Sequence, residues 1–223
     1  GNNSRGQLGD GTTTTRSTPV KVVDKNVTQV ATWGHTMFIK NDGSLWGVGG
    51  NNEGRIGDGT TAYRSTPVKV VDSGVSQVAV HDHTLFIKTN GSLWGMGKNH
   101  TGQLGDGSTN HSKTPKQIVS SGVIKIGAGW KNSAFVKSDG SLWTMGNNDY
   151  GQLGTGDFNS SLVPVKIINN GVADVACGSK HTLVKMTNGS LKAFGSSEWG
   201  QLGIDRPLYR LTPYQLPHKL LPE

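Results

Sequence analysis

The 223 residues carry a formal net charge of +7, and only 33% of them are hydrophobic and 17% charged. Much of the remainder is glycine, 33 residues, with Asn, Thr and Ser. This mixture disfavours helix, because Gly costs about 1 kcal/mol per helical position relative to Ala. No apolar run reaches the roughly 18–20 residues of a membrane helix. The single cysteine, Cys177, excludes an internal disulfide and any multi-cysteine metal site.

In chain order, the first complete unit reads as four short strands. Residues 19–23 are an apolar run that opens on a proline, and residues 27–31 alternate. Residues 36–40 are apolar and close on Asn41-Asp42-Gly43, a strong hairpin turn because Asn and Gly tolerate positive φ. Residues 45–48 follow. No ten-residue stretch carries a 3.6-residue period, so no helix is expected.

The unit then repeats. Gly-Gln-Leu-Gly begins at residues 6, 102, 151 and 200, with Gly54-Arg55-Ile56-Gly57 as a variant, giving steps of 48, 48, 49 and 49. Thr-Pro stands at 18, 66, 114 and 212, and Val163-Pro164 replaces it once. Gly-Ser-Leu-Trp begins at 43, 91 and 140 and degenerates to Gly-Ser-Leu-Lys at 189. His-Thr stands at 35, 83 and 181, with Asn132-Ser133 in the third copy. Four strings in one phase identify four full repeats, starting near 1, 49, 97 and 146, and part of a fifth near 195. All 223 residues form one repeat domain on this reading. Four short antiparallel strands per 40–50 residues is the pattern of a β-propeller blade.

Gly-x-Asn-x-x-Gly-Gln-Leu-Gly-x-Gly, Thr-Pro-x-x-Val, Val-Ala-x-Gly-x-x-His-Thr and Asp-Gly-Ser-Leu-Trp-x-x-Gly together resemble the regulator of chromosome condensation repeat over nearly the whole chain. The resemblance implies an all-β propeller, usually of seven blades. A ring of seven such units needs over about 330 residues. The chain is therefore a fragment of a larger ring, a ring of fewer blades, or an open arc. The last copy decays at Ile204-Asp205-Arg206-Pro207, and the first residue is Gly1. A natural C-terminus and a truncated N-terminus are the expectation. The two ends offer the same kind of strand, so closure is expected to be imperfect, with self-association through open blade edges.

The recurrent residues read as structural. Trp46, Trp94 and Trp143 fall in strands and are expected as core anchors. His35, His83 and His181 lie 48 or more residues apart, too dispersed to share one ion about 2 Å away, and are expected to bond backbone. Asp10, Asp58 and Asp106 are turn formers. The Gly-rich strings lack the Gly-Lys-Ser/Thr of a phosphate loop. No catalytic set, cofactor or metal is indicated, and the chain reads as a non-enzyme. Lysines recur at Lys21, Lys69 and Lys166, and at Lys40, Lys88, Lys137 and Lys185, so the positive charge is spread out and nucleic acid is not expected as a partner.

Function is expected where the repeats differ. In a four-strand meander the turns between second and third strands share a face with the connections between blades; the Asp-Gly-Ser turns lie opposite. Those turns carry Trp33, His81, Asp82, Trp130, Lys131 and Lys180, and the connections carry Tyr150 and Trp199. Trp, Tyr and Arg are common hot-spot residues of protein interfaces. The expectation is a scaffold that binds a partner protein through this aromatic face. Relatives by resemblance include a bacterial propeller that inhibits a β-lactamase with such a face. The alternatives are guanine-nucleotide exchange on a small GTPase, as in the family founder, or a carbohydrate-binding adhesin. The founder uses an inserted wedge, and constant steps of 48 or 49 leave no room for one. The Asn/Thr/Gly-rich repeats resemble bacterial or viral members, so an extracellular or cell-surface location is expected, with cytoplasmic the alternative.

Overall fold

The computed structural model describes residues 1–204 and 208–216; residues 205–207 of the degenerate copy lie outside them. Among the described residues sixteen strands form four antiparallel four-stranded sheets in simple meander order. The first sheet holds β1 (Val27–Thr32), β2 (His35–Lys40), β3 (Leu45–Gly49) and β4 (Arg64–Val71). The second holds β5 (Val75–Val80), β6 (His83–Lys88), β7 (Leu93–Gly97) and β8 (Ser112–Val119). The third holds β9 (Val123–Ala128), β10 (Asn132–Lys137), β11 (Leu142–Gly146) and β12 (Ser161–Ile168). The fourth holds β13 (Val172–Cys177), β14 (His181–Met186), β15 (Leu191–Ser196) and β16 (Tyr209–Gln215). Among the described residues the helical content is one 3-10 turn, Asn52–Gly54. The chain is all-β, and its sheets are propeller blades.

Each sheet takes three strands from one repeat and its fourth from the next: β4, the Thr-Pro strand of the second repeat, pairs with β3 through Trp46↔Lys69 and Gly47↔Val68. Residues 19–23 are the counterpart of β4 in the first repeat, and they are not a strand. Each β4-type strand pairs with the Leu-Trp strand ahead of it in sequence, and residues 19–23 pair with no such strand among the described residues. This corrects the grouping expected from sequence, and it leaves β1 as the first strand of the chain.

Two compact units result, Gly1–His100 with Thr109–Val123, and Thr101–Ser108 with Ile124–Glu223. In the first unit Met37, Ile39 and Leu45 of the first sheet pack against Val75, Val78, Phe86 and Met96 of the second. Burying each such side chain stabilises by about 1.5–3 kcal/mol. The Gln29 amide also bridges the sheets, accepting from Val78 N–H at 3.0 Å and donating to Val78 C=O at 3.2 Å. In the second unit Ala134, Val136 and Leu142 pack against Val172, Val175, Val184 and Phe194.

A buried asparagine holds each well-formed connection. Asn51 Oδ1 accepts from Ile56 N–H at 2.9 Å while its Nδ2 donates to Asp58 and Thr60 C=O, each at 3.0 Å. Asn3 and Asn148 repeat this, bonding Leu8 N–H and Leu153 N–H at 2.9 Å. The recurrent Asp residues are turn formers, as expected: Asp10 accepts from Thr12 and Arg16, and the Thr12 hydroxyl bond leads the effects that hold its carboxyl down at about 2.

Candidate functional site

In the first unit the β1–β2 turn, the β5–β6 turn and the β3–β4 connection converge. Gly50 N–H donates to Gly34 C=O at 3.1 Å, and Lys98 N–H to Asp82 C=O at 3.4 Å. Trp33 is 60% exposed and stacks on buried His81 at 4.1 Å with 27° between the rings. Beside them Arg55 is buried. Its Nη1 donates to Asp82 at 3.3 Å, Nη2 to Glu53 at 2.9 Å and Nε to Asn52 C=O at 3.2 Å. Lys98 Nζ reaches the other Asp82 oxygen at 3.1 Å. Burial pushes the Asp82 carboxyl up, but the Lys98 bond and the charges of Arg55 and Lys98 outweigh it and hold the group below the usual carboxylate range. Burial lowers His81, so the platform under Trp33 is a neutral ring. Removing one member of such a buried network would leave the remaining charges less well compensated.

In the second unit the corresponding loops carry Trp130, Lys131, Tyr150, Lys180 and Trp199. Asn147 N–H donates to Lys131 C=O and Ser196 N–H to Lys180 C=O, both at 2.8 Å, which seats each connection beside its turn. Lys131 Nζ lies 4.6 Å from the Trp130 ring centre and Lys180 Nζ 4.2 Å from that of Tyr150. The Lys180 ammonium donates to Tyr150 and, at 3.4 Å, to Glu198, and these bonds raise its pKa. Trp199 is 82% exposed. Of the expected set, Trp33, His81 and Asp82 fall in the first unit and the other five in the second; the ring contacts within it are Trp33–His81, Lys131–Trp130 and Lys180–Tyr150.

The strand tryptophans differ. Trp46, Trp94 and Trp143 are half-buried rather than central. Each stacks beside Phe38, Phe86 or Phe135 at 6.1–6.3 Å and donates Nε1–H to Ser44, Ser92 or Ser141 at 2.8–2.9 Å. Lys40, Lys88 and Lys137 lie over the outer faces. The phenylalanines occupy the interior positions expected for the tryptophans, because the wider indole needs its N–H satisfied by the turn serine at the rim.

The repeated histidine is structural, with a different partner from the one expected. His35 Nε2 meets Thr84 Oγ1 at 2.7 Å, and Thr84 donates to Arg55 C=O at 2.7 Å. The threonine hydrogen is spent on the carbonyl, so His35 must be the donor and carries its proton on Nε2. Burial pushes His35 down to about 3, with the Arg55 charge adding to it. Asn132, the third copy, donates to Thr182 instead at 3.5 Å. Among the described residues no three His, Cys, Asp or Glu side chains are grouped to hold a metal ion. Cys177, packed beside Gly127, has its thiol pushed up to about 12 by burial.

The sequence reading missed Arg55. The signal was the variant string itself. Where the other copies have Gln, Gln152 and Gln201 accept the backbone N–H two residues back at 2.9 and 2.8 Å. Arg has no acceptor to offer. At this connection Glu53 turns into the left-handed region, φ 56°, and pairs with the guanidinium instead.

The family model for the RCC1-like domain matches residues 1–221. The chain belongs to the RCC1-like domain family. Among solved structures, human WBSCR16 aligns with a TM-score of 0.83 at 27% identity, over 97% of this chain and 61% of that one. Yeast RCC1 (Prp20), solved bound to Kap60, aligns with a TM-score of 0.79 at 20% identity, over 89% and 50%. Prp20p from Saccharomyces cerevisiae, described with its binding properties to Gsp1p and histones, gives 0.78 at 20%, over 91% and 52%. The two yeast structures at 20% identity show the fold alone. The RCC1-like chain spans between half and about three fifths of these proteins. No curated protein matches the sequence.

Proposed function

We propose that this RCC1-like chain is a non-catalytic scaffold that binds a protein partner through the aromatic and cationic side chains of its turns and connections. The observation that carries this is the division among the tryptophans. Three are held in strands against a phenylalanine and a serine, while Trp33, Trp130 and Trp199 stand 39–82% exposed on loops. Exposed tryptophan is enriched at protein interfaces, where a partner buries it. Lys131 over Trp130, Lys180 over Tyr150 and His81 under Trp33 fix the rings before binding, so little side-chain freedom is left to lose on association. The test is capture by photo-crosslinking from native extract, comparing the wild-type chain with a Trp130→Ala/Trp199→Ala variant of unchanged melting temperature. A protein captured by the first and lost from the second supports the reading. Equal capture by both would remove these residues from the interface.

A further inference from the structure

Asparagine followed by glycine is open to imide closure, because glycine has no Cβ to shield its nitrogen from the asparagine side chain. The chain holds three such pairs: Asn90-Gly91, Asn170-Gly171 and Asn188-Gly189. The first and last form the β6–β7 and β14–β15 hairpin turns, and their reacting atoms are engaged. Gly91 N–H donates to Lys88 C=O at 2.8 Å, and Asn90 Oδ1 accepts from the Ser92 N–H at 3.0 Å and hydroxyl at 2.7 Å. Gly189 N–H donates to Met186 C=O at 3.0 Å, and Asn188 Oδ1 accepts from the Ser190 N–H at 3.0 Å and hydroxyl at 2.7 Å. Asn170-Gly171 lies instead in the corner between β12 and β13. Asn170 is exposed, and neither its side-chain amide nor the Gly171 N–H makes a hydrogen bond among the described residues. The bonds that fix this corner use other atoms: Thr187 N–H donates to Gly171 C=O at 2.8 Å, and Val172 N–H donates to Gly140 C=O at 3.0 Å. The Gly171 nitrogen faces Gly140, whose missing side chain leaves it room; a Cβ there would stand 2.7 Å away.

We propose that Asn170 is a site of spontaneous deamidation, and that the fold protects Asn90 and Asn188 from the same reaction. The Gly171 nitrogen attacks Asn170 Cγ and gives up its proton to water. The side-chain nitrogen leaves as ammonia, and a cyclic imide remains. Water then opens the ring. Attack at Cγ yields aspartate; attack at the Asn170 backbone carbonyl carbon yields isoaspartate, with the chain now running through the side chain. Water is consumed, ammonia is released, and nothing is oxidised or reduced. At Asn170 the closure gives up no hydrogen bond among the described residues. At the two hairpin turns it breaks the bond of the glycine N–H and draws Oδ1 away from both serine donors, each a loss that raises the barrier. The corner itself does not need asparagine: Ser73-Gly74 and Ser121-Gly122 build it ahead of β5 and β9, with the same positive φ at glycine. The product adds a negative charge there, and the isoaspartate form also adds a main-chain methylene just ahead of β13. This assignment is independent of the aromatic loops.

The experiment ages the folded chain at mildly alkaline pH and follows each peptide by the mass gain of deamidation. The Asn170 peptide is expected to convert about tenfold or more faster than the Asn90 and Asn188 peptides. In urea the three should converge, because all are Asn-Gly and the turn bonds are gone. Methyl transfer from S-adenosylmethionine by an isoaspartyl methyltransferase should label the aged chain several-fold more than an aged Asn170→Ser variant. Equal conversion of the three peptides in the folded chain would overturn the proposal. So would the same order of rates in urea, because sequence and not fold would then set it. Undiminished labelling of Asn170→Ser would do so too, by placing the isoaspartate elsewhere.

Discussion

His35→Asn should make folding stability less sensitive to acid. His35 is fully enclosed, neutral and held down at about 3, against an ordinary value of 6.5. The folded chain refuses a proton that the unfolded chain accepts throughout this window. The unfolded state therefore binds more protons, and stability falls as pH drops from about 6.5 towards 3. Each group of this kind removes about 2 kcal/mol between pH 7 and pH 5. His83 is likewise pushed down to about 3 by burial, so the two together remove about 4 kcal/mol, a large share of a typical 5–15 kcal/mol stability. Asparagine keeps a donor for Thr84, as Asn132 does for Thr182, and does not titrate. Urea unfolding at the two pH values, for wild type and variant, reads the difference directly. The variant should lose about 2 kcal/mol less on acidification than the wild type. An identical loss in both would mean that His35 accepts its proton without unfolding, and the reasoning from burial would fail.

Trp33→Ala and Trp199→Ala should cost less than about 0.5 kcal/mol, while Trp94→Ala, which loses the Phe86 stack and the Ser92 bond, should cost about 2–3 kcal/mol; thermal melts of the three variants compare them, and equal large losses would assign the loop rings to folding. Asn148→Ala strands the Leu153 N–H and should cost about 2–3 kcal/mol in urea unfolding, several times the effect of a surface Asn. Gly57→Ala and Gly59→Ala both force a side chain to positive φ, at about 1 kcal/mol. At Gly57 the new methyl also runs into the buried Met96 sulfur, whereas at Gly59 it meets open space, so calorimetry should find Gly57→Ala clearly the worse.

The architecture was legible because repetition multiplies weak local signals. A single Asn-Asp-Gly turn or Thr-Pro strand is ambiguous, but the same strings in one phase fix strand count, turn positions and the loops that converge. Strand partnership was not legible. Residues 19–23 carry the same pattern as β4 yet form no strand, because the pattern marks a segment able to pair and not the strand it pairs with. The rim position of Trp46 and its equivalents was hidden for a similar reason: the alternation of β3 places the indole on a face, but the Ser44 hydroxyl two residues earlier decides where its N–H is satisfied. Of the loop residues, Trp33 and Trp199 stood out by type. Arg55 did not, because it first appears as an imperfect copy of a glutamine string, and its role depends on Asp82, 27 residues further on.

The one-strand offset between repeat and sheet also bears on how such a chain could have grown. A tandem duplication of 48 residues, wherever its ends fall inside the array, adds three strands of one sheet and the closing strand of its neighbour, and every ladder is still complete afterwards. Recombination between copies thus need not respect any boundary visible in the fold. A repeat that made a self-contained sheet would tolerate crossovers only in its linkers. Interlocked copies tolerate them at any phase-matched position, and what they lose is the ability of one copy to stand alone.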